Sequence, residues 1–313
     1  MRWQTKAKIM KLCAQMPGGG ALYRYIQKTF GRLRANPMAR LPAQAKMVKW
    51  LLESGRDIVG KRFFEVGTGH VPIAPIGFFL CGAGSVITVD LHRRIEWGLT
   101  IESLNWIASN RNEVAGIYQD IVDAALFNER HALLSCHKNN PSEFFKEARI
   151  EYLAPMDAAN TRLPAKSVDF HFSLTTLEHI PQAIIKDIFL EAKRILKPKG
   201  LAVHFIDLSD HFQHQDKSIT SINFLRYSEK EWEKIAGNEF AYCNRLRASD
   251  YLALFKEAGF DICRHEVQED EDVRVSIRDG FMVDERFQDY SVDDLCTTGL
   301  RVALKKNGKP TGI

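Results

Sequence analysis

Apolar residues along the chain follow two rhythms, and their alternation predicts the architecture. Short apolar runs bounded by turn residues read as strands: RFFEV (Arg62–Val66), SVITVD (Ser85–Asp90), RIEYLAP (Arg149–Pro155), SVDFHFS (Ser167–Ser173) and LAVHFID (Leu201–Asp207). DICRHEV (Asp261–Val267) and GLRVALKK (Gly299–Lys306) complete the set. Between them the spacing turns helical. Pro42–Ser54 places Ala45, Val48, Leu51 and Leu52 on one face, with Pro42 suited to the first turn. Ile184, Ile185, Ile188, Phe189, Ala192, Ile195 and Leu196 form another apolar face, stopped by Pro198 and Gly200. Ala248–Gly259 reads as a compact helix with Ser249 as its N-cap.

Repeated strand–helix alternation predicts an α/β fold, a Rossmann-like, mostly parallel seven-stranded sheet with helices on both faces. In such sheets ligands sit beyond the carboxyl ends of the strands, where chain order reverses. Two connections are longer than a crossover requires: a helical insertion over about 99–148, and a segment over about 208–246 expected to act as a substrate loop or lid. Residues 1–60 read as a basic helical extension and 61–313 as the main domain.

Composition narrows the class. A hydrophobic share of 45% and a charged share of 26% exclude a disordered chain. No stretch approaches the roughly 20 apolar residues that span a bilayer, and no secretory leader is evident, so the expected location is the cytoplasm. Cys13, Cys81, Cys136, Cys243, Cys263 and Cys296 form no CxxC pair, which removes zinc-knuckle and dithiol redox readings. Net charge is only +4, but Arg2, Lys6, Lys8, Lys11, Arg24, Lys28, Arg32, Arg34, Arg40, Lys46, Lys49 and Arg56 face only Glu53 and Asp57 in the extension. Such an arm suits either an anionic partner or a solvated helical face.

The chemistry concentrates after the first strand, in EVGTGHVP. A dinucleotide fingerprint needs a third glycine, and that position is Pro72. Glu65 at the strand end would repel a phosphate and attract an ammonium or sulfonium. Gly67 and Gly69 allow close backbone approach. Asp90, ending the second strand, is placed to accept hydrogen bonds from ribose hydroxyls. Together these residues fit a nucleoside without phosphates.

On these residues the chain resembles the class I S-adenosylmethionine-dependent methyltransferases. EVGTGH resembles that family's acidic glycine turn, with Val71 where a third glycine is common. Asp90 in TVDL resembles the ribose-binding acid, PMDAANTRLPAKSVDFHFSLTTLEHIP the following block, and EAKRILKPKG the helix before the fifth strand. The resemblance implies S-adenosylmethionine as cofactor, with contacts from Glu65, Gly67, Thr68, Gly69, Asp90, Leu91, Asp157, Ala158 and Ser173.

A hydroxyl acceptor needs a base. HFIDLSDHFQHQD supplies His211, with Asp207 or Asp210 as helper, and His214; Glu178 and His179 either face the site or start the next helix. His204, inside a strand, reads as core. No metal is expected, although His211, His214 and Asp216 are of ligand type. Asn223, Arg226, Tyr227, Asn244, Arg245 and Arg247 are suited to bonding a polyhydroxylated or anionic acceptor, so a polar small molecule or glycan is the expected substrate. RNA or protein as acceptor, a non-catalytic cofactor-binding scaffold, and an NAD-type enzyme are the alternatives.

Overall fold

The computed structural model describes residues 1–30 and 33–308; Arg32 of the basic arm lies outside them. Seven strands form one sheet in the order β3-β2-β1-β4-β5-β7-β6. They are β1 (Arg62–Val66), β2 (Ser85–Val89), β3 (Ile150–Leu153), β4 (Val168–Leu174), β5 (Leu196–Asp207), β6 (Phe260–Glu269) and β7 (Thr297–Lys306). β1 to β5 run parallel, and β7 pairs antiparallel with both β5 and β6. Chain order reverses between β1 and β4, which opens the crevice there.

The period-two pattern explains the two layers. Phe63, Phe170, Phe172 and Phe205 point to one face, under α3 (Leu41–Glu53) and α4 (Ile73–Leu80). That face continues into α5 (Trp97–Ser109), α6 (Arg111–Tyr118), α7 (Ala124–His137) and α8 (Pro141–Glu147), so the 99–148 stretch is helical as its pattern predicts. Phe64, Ala202 and Leu304 point to the opposite face, under α9 (Gln182–Ile195) and α11 (Ala248–Glu257). Ser249 is not the α11 cap. Arg247 takes that place, and the Ser249 hydroxyl donates to Asp294 instead. Ile184 also departs from its predicted role and is 43% exposed.

A third cluster joins the N-terminal extension to the 208–246 segment. In α1 (Trp3–Gln15), Trp3, Ala7 and Met10 bury against Phe212, Phe224 and Trp232. Trp232 lies on α10 (Glu229–Ala236), whose start is fixed by a capping box between Ser228 and Glu231. Tyr23 of α2 (Gly19–Thr29) meets Phe240 at 4.6 Å between ring centroids. The extension therefore packs on the 208–246 segment, above the carboxyl ends of β4 and β5. No helix among the described residues is long and apolar enough to cross a membrane.

His171 and His204 sit side by side in β4 and β5, both fully buried, their ring nitrogens 3.3 Å apart. Burial lowers His171 to about 3 and holds His204 well below its ordinary value. Unfolding therefore lets both rings take up protons that the fold excludes, so their contribution to stability fades as pH falls below about 6.5. Buried acids such as Glu65 work in the opposite direction, but only above about pH 4.5, where the unfolded carboxyl ionises. Below about pH 4.5 the low-pKa carboxyls Asp207 and Glu191 lose stability in the same direction, so the imidazoles are best isolated between about pH 6 and 4, where His171 contributes up to about 1.4 kcal/mol per pH unit. Stability from urea unfolding across that range should fall less steeply for His171→Phe, by about 1 kcal/mol per pH unit; an unchanged slope would refute the assignment.

Candidate active site

The turn after β1 is shaped by contacts on three sides. Gly67 adopts φ +85°, and a Cβ there would meet the Thr176 side chain at 2.3 Å, so only glycine fits. Gly69, φ +70°, faces open space, as a turn under a ligand must. The Gly67 amide donates to the Val89 carbonyl at 2.9 Å, tying the turn to the end of β2.

Glu65 behaves differently from the sequence expectation. It is 3% exposed and pairs in register with Thr88, whose hydroxyl donates to its carboxyl; Thr68 shares a hydrogen bond with the same hydroxyl. Burial, reinforced by the Asp90 charge, raises its pKa to about 8. Around neutral pH the group is mostly an uncharged acid beneath the turn, so charge repulsion at Glu65 is not what disfavours a phosphate. Its visible work is to hold Thr88 and Thr68 in place.

Asp90 does reach the crevice. The Gly69 amide donates to Oδ1 at 3.4 Å and the Tyr152 hydroxyl to Oδ2 at 3.2 Å. Burial raises the carboxyl to about 6 against those hydrogen bonds, leaving it ionised above that pH. With Gly67, Thr68, Gly69, His70, Arg94, Thr175 and Thr176 it lines a cleft of about 740 Å³. Leu91, Asp157, Ala158 and Ser173 are not among the residues lining this cleft. Leu91 is 61% exposed beside Asp90. Asp157 accepts the Ala159 amide at 2.8 Å within its own turn, and Ala158 is buried in the α9-side core. Ser173 is fully buried inside β4, bonded to His204 at 2.8 Å, and does not face the cleft.

Thr175, which no sequence signal marked, holds φ +51° directly after β4, a strained conformation for a β-branched residue. Its amide donates to the Phe205 carbonyl at 2.8 Å, and Arg40 reaches its hydroxyl at 3.1 Å and the Leu174 carbonyl at 3.2 Å. Arg40, Thr175, His179, Tyr23, Gln27 and Phe240 line the cleft on one side and a second chamber of about 400 Å³ on the other. The two spaces thus share a wall.

The second chamber gathers the predicted catalytic groups. Asp207, at the end of β5, lies 3.5 Å from His211 Nε2 and 3.6 Å from His214 Nε2, within ion-pair range but off hydrogen-bond geometry for His211. The Ser209 hydroxyl donates to Asp207 Oδ1 at 2.6 Å. Burial opposes ionisation of Asp207, yet the nearby His211 ring and the hydrogen bonds from the Ser209 hydroxyl and amide prevail and bring it to about 2. Burial likewise pulls His211 down, but Asp207, Glu178 and Asp210 outweigh it and leave the imidazole raised. His214 is lowered by burial. Glu178 and His179 also line this chamber, so both face the site.

Several polar residues expected at the acceptor are used as scaffold. Arg245 donates to the Phe224 and Tyr227 carbonyls and pairs with Glu229. Arg247, fully buried, binds the carbonyls of Leu208, Asp294, Leu295 and Thr297. Asn244 ties the Leu177 and Ile180 carbonyls, Asn223 bonds Asp210, and Arg226 lies over the Phe281 ring. Asp216 accepts the Trp3 amide at 2.8 Å and the Ser218 hydroxyl at 2.6 Å, which separates it from His211 and His214 as a ligand set.

A family model described as a methyltransferase domain matches residues 131–204. No curated protein matches the chain significantly by sequence. Among solved structures, the chain is similar to a SAM-dependent methyltransferase from Methanosarcina mazei, at 14% identity and TM-score 0.45, over 83% of this chain and 98% of that one. It is also similar to phosphoethanolamine N-methyltransferase 2 from Haemonchus contortus in complex with S-adenosyl-L-methionine, at 17% identity and TM-score 0.44, over 84% of this chain and 52% of that one.

Proposed function

We propose that this class I S-adenosylmethionine-dependent methyltransferase methylates a hydroxyl of a polar small molecule or sugar unit held in the chamber beneath α1 and α2. The cofactor is S-adenosylmethionine, which when bound supplies a methyl group on a cationic sulfur. The cleft residues fit it: Asp90 offers an ionised acceptor for ribose hydroxyls, and Gly67 and Gly69 leave room against the backbone.

The observation that carries the reading is the shared wall. Thr175, Arg40 and His179 separate the cleft from a chamber that holds a carboxylate-backed imidazole, so a nucleophile and a methyl donor can be held in adjacent spaces. His211 takes the acceptor proton on a ring nitrogen while Asp207 steadies the imidazolium that forms. Tyr23, Gln27 and Phe240 line both spaces.

The chamber's volume of about 400 Å³ supports a small acceptor over a polymer. The basic arm supports this too, because much of its charge is engaged within the molecule. Arg24 and Lys28 pair with Glu96, Lys46 with Glu266, and Lys11 donates to the Lys234 carbonyl. Incubation with methyl-labelled donor and a panel of sugars and hydroxylated metabolites should give a labelled ether. Label appearing only in RNA or protein would overturn the acceptor class.

A further inference from the structure

We propose that Glu178, His179 and His211 form a binding site for one divalent transition-metal ion at the edge of the acceptor chamber. One potential ligand atom from each residue lies within 4.8 Å of the other two. Glu178 is 1% exposed, and neither of its carboxyl oxygens has a hydrogen-bond partner among the described residues. Buried carboxyl oxygens nearly always have one, and leaving both without a partner is costly. A cation is a partner that satisfies them.

The two imidazoles are prepared for the same role. His179 Nδ1 lies 3.0 Å from the Tyr242 carbonyl, which can only accept, so the proton belongs on Nδ1 and the Nε2 lone pair is free. His211 Nε2 is buried without a hydrogen bond, with the Asp207 carboxylate 3.5 Å away to raise the basicity of the ring. The rings meet edge to face at 4.9 Å. Two imidazoles and one carboxylate favour zinc, cobalt, manganese or ferrous ions over magnesium or calcium. Three protein ligands also leave positions for an acceptor oxygen.

The assignment deepens the methyl-transfer reading and rests on it. An ion here draws electron density from an acceptor hydroxyl that binds it. With the ion in place His211 serves as its ligand and His214 replaces it as the base of the proposed reaction: the O–H bond breaks with its proton passing to His214, and the electron pair stays on oxygen. His214 lies against the same Asp207, at 3.6 Å.

Cobalt(II) titrated into the chelator-stripped, full-length protein and followed by its visible absorption tests the site. One equivalent should bind, and Glu178→Gln and His211→Ala, at residues that line the chamber but not the cofactor cleft, should each weaken binding at least ~10-fold while S-adenosylmethionine affinity, the check on folding, is kept. No uptake, or equal affinity in the wild type and both variants, would overturn the site. A stripped protein that takes up no cobalt yet methylates at full rate ends the ion proposal alone. Specific cobalt uptake with no methylated product under any condition supports the site and ends the methyl-transfer reading instead.

Discussion

Replacing His211 with alanine should lower the rate of methyl transfer ~10²- to 10⁴-fold while leaving S-adenosylmethionine affinity within about two-fold. The split follows from the geometry. His211 lines the acceptor chamber but not the cofactor cleft, and its partners are Asp207, Glu178 and His179. Asp207→Asn should cost less, about 10-fold, because the imidazole survives and loses only the carboxylate beside it. In the ion-free protein, where His211 is the base, His214→Ala should stay milder than His211→Ala, since burial lowers the basicity of His214. Steady-state rates under saturating donor, with calorimetric donor affinity for each variant, decide the matter. A His211→Ala enzyme turning over at the wild-type rate would remove that residue from the chemistry.

Asp90→Ala should weaken S-adenosylmethionine by roughly 100-fold, about 3 kcal/mol, the scale of losing hydrogen bonds to a charged acceptor. The side chain reaches the cleft from the end of β2 and is held by the Gly69 amide and the Tyr152 hydroxyl, so its removal deletes an acceptor already set in place. Protonation works toward the same end. As the carboxyl is raised to about 6, donor affinity in the wild type should fall as pH drops through that value, and the alanine variant should lack this dependence. Glu65→Gln makes the contrast. Glu65 is mostly protonated at neutral pH and lies outside the cleft lining, so its amide replacement should bind donor nearly as well as the wild type at pH 7.

The parts of this arrangement that were legible in the sequence are those set by local rules. Alternation in RFFEV and SVDFHFS sends Phe63, Phe170 and Phe172 to one layer and Phe64 and His171 to the other. Gly67, Gly69 and Asp90 follow from a strand ending in a turn. His211 and Asp207 stand four residues apart where β5 ends, close enough to meet on short-range geometry alone. What escaped depends on contacts between distant segments. Arg40 bracing Thr175 and Tyr23 resting on Phe240 join positions more than a hundred residues apart. The charge of Glu65 escaped for a related reason, since the chain shows a carboxyl but not its burial. Ser173, Arg245 and Arg247 are held by a neighbouring histidine or by orphan carbonyls, because side chains suited to a ligand are equally suited to such partners.

Calorimetric titration of the wild-type protein with S-adenosylmethionine, and separately with NAD, bears most directly on the central claim that the crevice between β1, β2 and β4 holds an adenosine sulfonium through Asp90. One equivalent of S-adenosylmethionine should bind, with that heat greatly reduced in Asp90→Ala and none seen with NAD. Saturable binding of NAD with no heat from S-adenosylmethionine would contradict the account.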